Sequence, residues 1–577
     1  MDYRDPSPQI EESEEEEASD DEDPMLLRPR APIRRRSPRL NIMQEMALAS
    51  VHTAETQEDP QSYRAAMQDP RSDLWQEAIN KELKSVKDTG TWQEVRVPEG
   101  ASLVDSKWVF KTKLNERGEV IKYKARIVAR GFTQEYGVNY FDTYSPVARL
   151  TSLRILLTIV AAQDLELYQM DADTAFLNGT LEEDIYMDFP DGYQRQDKKS
   201  TGLKLVRSLY GLKQSPRVWW QLISSYLEEL GFTRLSADWG LYYHKKKQAY
   251  LLLYVDDVLI AAQEMSIING IRDALKDKWK WSDIGTATYI LGLKLERHRP
   301  SRTISLSQEG YIQRVLDRFG MQDAKTVTTP LYDAMMKRQE DTIKEDKQRK
   351  TLYQQIVGSL MWSAMSARPD IVFAVGYLSR FSSNPSEQHL KAAKRTLAYL
   401  KGTIDKVLTL GQLDNNTGGN QHSLIGYCDA DYAGDMETRR STTGYCFKLL
   451  GSAVSWTSIR QSTVATSTCE AEYMALAEAA KEAIWLNRML QELGFINKDK
   501  PTQLYCDNQG ALALAGNPAH HKRSKHIDIR YHYIREMVDN GHITIHHVGT
   551  QDQAADMLTK PLKDIKHKHN CQLIHLE

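Results

Sequence analysis

Blocks of apolar residues with distinct spacing divide this chain into recognisable elements. The run Tyr250-Leu251-Leu252-Leu253 breaks at Tyr254-Val255-Asp256-Asp257 and resumes as Val258-Leu259-Ile260-Ala261-Ala262. Apolar runs this short, on either side of a polar break, read as two buried strands that return on one another. Both aspartates then sit at the tip of a hairpin. Carboxylates in apolar surroundings cost several kcal/mol or shift their pKa toward neutrality unless something compensates them. A divalent cation held by hard oxygen ligands is such a compensation. On this motif alone, a plain surface turn reads equally well.

Other segments add to the picture. Order begins near Asp73-Leu74-Trp75, where Leu74, Ala78, Leu83 and Val86 fit an amphipathic helix ended by Asp88-Thr89-Gly90. That tripeptide matches an aspartic-protease loop, but it follows a helix, lacks the preceding apolar strand and has no second copy, so it reads as a turn. Short strands dominate residues 92–130. In residues 122–130 the alternation puts Lys122, Lys124 and Arg126 on one face. Three cations in a row repel one another unless a polyanion lies over them, which favours a phosphate site over a charge-protected edge strand.

Residues 151–162 read as a buried helix and residues 165–171 as a strand ending in Asp171, with Asp173 close behind. A third acid at a strand end is what a metal site shared with Asp256 and Asp257 requires. Residues 290–306 suggest a second hairpin with residues 297–302 at its tip. An amphipathic helix carrying Tyr311, Ile312, Val315, Leu316 and Phe319 is expected to start near Ser307. After a polar break at residues 337–349, a helical block spans residues 353–401, and ordinary core packing explains its Ala392, Ala393, Leu397 and Leu400. The turn-rich residues 415–420 mark the clearest domain boundary. No internal repeat is present.

Beyond that boundary lies a second set of acids. Residues 424–429 read as a strand ending in Asp429, followed by two more strands and a helix from about Ser467 that carries Glu470. Residues 503–508 form another strand with Asp507, and a helix start near Ala555 bears Asp556. Acids drawn from separate elements of a mixed sheet are the layout of a two-metal nuclease. The histidines between His520 and His547 lack paired cysteines and fixed ligand spacing, so structural or phosphate-contacting roles fit them better than a metal site.

Composition narrows the class. A chain of 577 residues suggests about four domain-sized units, and 41% hydrophobic with 27% charged residues is ordinary for a soluble protein. No apolar stretch approaches the roughly 18 residues of a membrane span, and no signal peptide is evident, so no membrane partner is expected. Five cysteines without a C-x-x-C pair point to a reducing compartment, the cytosol or nucleus. The first 24 residues carry twelve acids and one base; since the whole chain is at −3, the remainder is at +8. A positive body suits a polyanion. Residues 1–65, acidic and then arginine-rich, read as a disordered linker.

These motifs resemble the reverse transcriptase–ribonuclease H region of copia-type LTR retrotransposon polyproteins. The resemblance rests on residues 107–111 (KWVFK), 123–126 (YKAR), 141–149 (FDTYSPVAR), 169–179 (QMDADTAFLNG), 209–216 (LYGLKQSP), 254–257 (YVDD), 289–292 (YILG), 467–476 (STCEAEYMAL), 525–530 (KHIDIR) and 555–562 (ADMLTKPL), in family order from residue 70 onward. It implies an α/β (α+β) architecture: a right-hand polymerase of fingers, palm and thumb, then a helical connection and a ribonuclease H-like α/β domain. The expected boundaries are 66–306 for fingers and palm, 307–421 for thumb and connection, and 422–577 for the nuclease.

By the same resemblance, Asp171, Asp256 and Asp257 hold two Mg²⁺ (or Mn²⁺) ions. Lys124 and Arg126 bind the incoming triphosphate, Phe176 is the gate against a ribose 2′-hydroxyl, and Gln214 contacts the nucleotide near its 3′-position. Residues 289–293 are the expected primer grip. Asp429, Glu470, Asp507 and Asp556 are the expected nuclease acids, with two ions of their own. The implied partners are an RNA template, a DNA primer, the RNA/DNA hybrid and dNTPs, together with integrase and capsid from the same element. The implied location is a cytoplasmic virus-like particle or the nucleus.

Two departures stand out. Asp173 adds charge where the family has Lys, Asn or another residue, and the loop before Asp556 is short and lacks a histidine that His526 could replace. With no zinc knuckle, protease or integrase core upstream, the chain reads as the C-terminal part of a polyprotein, processed or truncated, that cannot transpose alone. An active enzyme is the first reading. A catalytically silent relic or domesticated nucleic-acid-binding protein is the alternative, and the presence of all seven acids argues against it.

Overall fold

The computed structural model describes residues 59–114, 120–336, 346–411, 424–496, 500–516 and 528–577. The acidic and arginine-rich start of the chain, the 415–420 linker and His526 lie outside them.

The amphipathic helix near the start spans Ser72–Asp88, and its buried residues are Trp75, Ile79, Glu82 and Val86. Leu74 points outward instead, because the indole of Trp75 takes the place against Phe110 and Tyr123. The helix packs on a hairpin of Ser106–Leu114 and Val120–Ala129, where Lys111 pairs with Lys124 and Lys113 with Lys122. A four-stranded sheet beside it runs in the order Trp92–Val95, Gly202–Arg207, Thr180–Met187, Leu103–Val104.

The central sheet has six antiparallel strands in the order Trp281–Thr286, Glu166–Ala172, Asp257–Ala262, Ala249–Tyr254, Leu241–His244, Thr233–Arg234. The helix Ser215–Glu229, opened by Pro216 in its first turn, lays Trp219, Trp220, Ile223 and Leu227 on this sheet. The helix Met265–Lys278 adds Ile268, Ile271 and Leu275 to the same core. Fully burying each large apolar side chain stabilises the fold by about 1.5–3 kcal/mol, so this core fixes the register on which the site depends. The expected buried helix is Leu150–Ala162.

A third sheet joins Leu293–His298 and Thr303–Ser307, the expected second hairpin, to Val407–Gly411. The following helix begins at Glu309, two residues later than expected, because Ser307 still pairs with Lys294 and Val407 as strand. The helical block consists of Lys347–Ser366, Val372–Ser379 and Glu387–Lys401.

The C-terminal sheet orders Ser452–Arg460, Thr442–Leu449, Leu424–Asp431, Thr502–Cys506, Ile543–His547. Its first three strands are antiparallel and the last two join in parallel. The helix Thr468–Glu492 packs against it. Asp429 is not at a strand end: pairing with Thr442, Thr443 and Gly444 carries the strand on to Asp431. Asp507 follows its strand directly, and Asp556 opens a single 3-10 turn, Asp556–Leu558, rather than a helix. Among the described residues no helix is long and apolar enough to cross a membrane.

Candidate active sites: two carboxylate centres

In the central sheet, Ala249–Tyr254 and Asp257–Ala262 are joined by the two-residue turn Val255-Asp256, and Asp257 pairs across the neighbouring strand with Asp171. Two carboxylates thus stand on adjacent strands with the third in the turn beside them. Val255 holds a left-handed φ of +60°, which costs a β-branched residue about 1–3 kcal/mol. The turn is pinned regardless: the indole N–H of buried Trp219 donates to the Val255 carbonyl at 2.7 Å, and the Ala172 N–H donates to the Asp256 carbonyl at 2.8 Å. The strain therefore aims the acids, because core packing overrides it.

Burial, with the charges of Asp256 and Asp171 adding to it, pushes Asp257 up to about 6. Asp171 is raised by burial and by Asp256, against the pull of Lys124 and Lys113. Three neighbouring carboxyl groups, with Asp171 and Asp257 resisting ionisation, form a donor set for a hard divalent cation. Asp173 lies close by, accepting from the Ser282 hydroxyl at 2.9 Å with Lys280 at 4.0 Å, and it adds to the upward push on Asp171.

The cationic hairpin faces these acids. Burial, then repulsion from Arg126 and Lys113, draws Lys124 down to about 8, while Asp171 opposes the shift. The Arg126 guanidinium lies 4.6 Å over the Tyr210 ring, and Tyr210 meets Phe176 edge-on at 5.1 Å. Tyr210 thus bridges the expected triphosphate and sugar contacts, a role the sequence reading missed. Gly211 explains why this can happen: its φ is +90°, and a Cβ there would stand 2.1 Å from the Ala129 carbonyl oxygen. Only glycine lets the 209–216 segment touch the cationic strand.

Gln214 is placed differently from its expected role. It is buried, its Oε1 accepts from Gln134 Nε2 at 3.0 Å, and its Nε2 donates to the Asn139 carbonyl at 2.8 Å. Both ends of the amide anchor the 131–149 loop, so its side chain positions that loop instead of reaching toward a nucleotide.

In the C-terminal sheet, the structure brings Asp429, Asp556 and Asp507 toward one another but replaces the expected Glu470 with Glu472. The Glu470 carboxylate accepts from the Thr466 N–H and hydroxyl, both at 2.6 Å, while Ser467 accepts from the Glu470 N–H at 3.1 Å. It closes the start of the helix. Two residues along an α-helix turn the side chain by about 200°, so Glu470 and Glu472 point to opposite sides. Burial, then the charges of Asp429, Cys506 and Asp507, pushes Glu472 up to about 10. A signal for this was present: Ser467 followed by Glu470 is the S-x-x-E capping box, which assigns Glu470 to the cap and leaves Glu472 for the sheet.

Asp429 is raised to about 6, chiefly by burial and also by Asp556 and Asp507, while Lys560 and the Thr559 hydroxyl that donates to it act in the opposite sense. The Lys560 ammonium bridges two acids, 2.7 Å from Asp556 Oδ1 and 3.4 Å from Asp429 Oδ2, and Lys566 reaches Asp556 Oδ2 at 3.2 Å. Burial opposes the charge on Lys560, but Asp429 and Asp556 together raise its pKa. The Lys560 ammonium thus stands between these acids and offsets part of their mutual repulsion. Gln553 locks the turn by donating to the Cys428 carbonyl at 2.9 Å.

Comparison with known proteins places the chain in a family. The reverse transcriptase (RNA-dependent DNA polymerase) family matches residues 89–333. The retrovirus-related Pol polyprotein from transposon TNT 1-94 of Nicotiana tabacum is 42% identical over 509 residues, 87% of this chain and 38% of that protein. The Pol polyprotein from transposon RE1 of Arabidopsis thaliana is 39% identical over 86% of this chain and 33% of that protein. A putative transposon Ty5-1 protein of Saccharomyces cerevisiae is 34% identical over its whole length and 54% of this chain. A solved foamy viral protease–reverse transcriptase in complex with double-stranded DNA aligns with 82% of this chain and 69% of its own, at 12% identity and a TM-score of 0.44, too distant to place residues. The chain belongs to the reverse transcriptases of copia-type retrotransposons. It spans between about a third and two fifths of the length of the plant Pol polyproteins it matches.

Proposed function

We propose that this chain is an RNA-directed DNA polymerase joined to a ribonuclease H that cuts the RNA strand of RNA/DNA hybrids, each centre working with two divalent cations. The observation that supports it most is the existence of two separate carboxylate centres. Asp171, Asp256 and Asp257 sit beneath a cationic strand. Asp429 and Asp556 share the ammonium of Lys560, and Glu472 and Asp507 lie near enough to Asp429 for their charges to act on one another.

The first centre offers only carboxylate oxygens, a set that fits Mg²⁺ or Mn²⁺. Such ions, when bound, neutralise phosphate charge and make the attacking oxygen a better nucleophile. The chain's own groups supply the rest. Asp171, Asp256 and Asp257 hold the ions at the end of a rigid sheet. Lys124 and Arg126 clamp the triphosphate, and a Lys124 already weakened in its hold on its proton by burial gains most when that anion arrives. Phe176, braced by Tyr210, limits room at the sugar 2′-position. Gln214 keeps the 131–149 loop seated. In the second centre, Asp429, Glu472, Asp507 and Asp556 would hold the ions, which would supply the charge neutralisation that Lys560 gives Asp429 and Asp556 in their absence.

The partners on this reading are an RNA template, a DNA primer, their hybrid and dNTPs, with integrase and capsid of the parent element in a cytoplasmic particle or the nucleus. The test is hybrid cleavage by Glu472→Gln and Glu470→Gln in Mg²⁺. Loss of cleavage by at least about 100-fold in the first and retention in the second is expected. The reverse pattern would overturn the assignment of the acids, and no cleavage by the folded parent chain would overturn the nuclease.

A further inference from the structure

The chemistry above leaves the thiols of the C-terminal sheet unused. Cys506 ends the strand Thr502–Cys506, immediately before Asp507, and is fully buried. Its Sγ lies 3.8 Å from Glu472 Oε2. One ligand atom each from Glu472, Cys506 and Asp507 lie within 4.8 Å of one another. On a tetrahedral zinc with bonds of about 2.3 Å to sulfur and about 2.1 Å to oxygen, the sulfur and oxygen stand about 3.6 Å apart. The observed separation is within a few tenths of an ångström of that value. The site thus has a soft donor at ligand spacing, and the polymerase acids Asp171, Asp256 and Asp257 are purely oxygen donors.

We propose that Glu472, Cys506 and Asp507 form a soft-metal site for Zn²⁺, overlapping the nuclease centre and absent from the polymerase centre. Binding replaces the S–H bond of Cys506 with an S–Zn bond and releases that proton to solvent, with no change of oxidation state. The bound zinc occupies two of the four nuclease acids, so hybrid cleavage stops while DNA synthesis continues. The inhibition rests on the nuclease reading; the metal site itself does not. The competing account, in which the thiol only packs beside Glu472, predicts no thiolate–metal bond.

The experiment is a Co²⁺ titration of the full chain, read by the near-ultraviolet charge-transfer absorption that thiolate ligation gives. A band that saturates at one Co²⁺ per chain, is displaced by Zn²⁺, disappears in Cys506→Ser and persists in Cys446→Ser is expected. If Cys506→Ser does not fold, Glu472→Gln decides: it keeps the thiol and should weaken Co²⁺ binding by at least about 10-fold. No band in the parent chain, or a band surviving Cys506→Ser, overturns the site. A second arm adds Zn²⁺ to a Mg²⁺ reaction and reads both activities of one sample. Cleavage should fall at least about 10-fold with extension changed less than about 2-fold. An unchanged cleavage rate overturns the inhibition. Absence of cleavage before zinc is added refutes the nuclease reading and leaves the cobalt result to stand alone.

Discussion

Arg154 offers a quantitative test of how the polymerase and C-terminal sheets are joined. It lies on the helix Leu150–Ala162, and its buried guanidinium donates to the Val454 carbonyl at 2.7 Å and to the Met365 and Ser366 carbonyls at 2.9 Å each. It also stacks 3.9 Å over Trp456. Three parts of the chain far apart in sequence thus meet on one side chain. Burial pulls its pKa well below the ordinary guanidinium value, to about 9, a cost on the charged form of about 5 kcal/mol.

Arg154→Met keeps the length and apolar volume but removes the donors. Its three hydrogen bonds to distant carbonyls, at about 1.5–3 kcal/mol each, and about 2 kcal/mol of desolvated cation–π contact are lost, beside a longer bond to the Thr151 hydroxyl at 3.2 Å. Relief of the burial cost returns about 5 kcal/mol, so the net destabilisation is about 2–6 kcal/mol. Equilibrium urea unfolding followed by tryptophan fluorescence measures it. A loss below about 1 kcal/mol would refute the view that this guanidinium holds the sheets together.

Three further predictions follow from named contacts. Phe176→Ala should reduce discrimination between dNTP and the matching rNTP by about 10–100-fold, read as the ratio of kcat/KM values; an unchanged ratio removes Phe176 from the sugar site. Lys560→Met takes away the cation between Asp429 and Asp556, so half-maximal cleavage should need several-fold less Mg²⁺; a higher requirement would mean that Lys560 assists ion binding. His389 is drawn down to about 4 by burial, with its Nδ1 accepting from the Ser386 N–H at 3.1 Å. Because its folded pKa lies below the unfolded value near 6.5, the unfolded chain binds more protons between those values. Stability should therefore fall by about 1–2 kcal/mol from pH 6.5 to pH 4, once solvent screening of a partly exposed ring is allowed for, and His389→Gln should flatten that part of the profile.

Local pattern carried much of this structure. The YVDD hairpin, the strand ending near Asp171 and the alternation of Lys122, Lys124 and Arg126 are all local periodicities, and each appears as an element at or near its expected bounds. What remained hidden depended on long-range contact. Tyr210 acquires its role only when Gly211 meets Ala129, and Arg154 only when residues 365–366 and 454 arrive beside it. Lys560 sits in a recognised motif, but its place between two acids is a fact of the folded turn. Glu470 was a different kind of miss: two glutamates two residues apart cannot both face the sheet, and helix-capping chemistry decides between them.

The most direct test of two independent centres is primer extension on poly(rA)/oligo(dT) and cleavage of an RNA/DNA hybrid, both in Mg²⁺, with Asp256→Asn and Asp429→Asn beside the parent chain. Independence of the centres requires that Asp256→Asn loses extension alone and Asp429→Asn loses cleavage alone. Loss of both activities in either folded variant, or a folded parent chain that binds hybrid tightly and performs neither reaction, would contradict it.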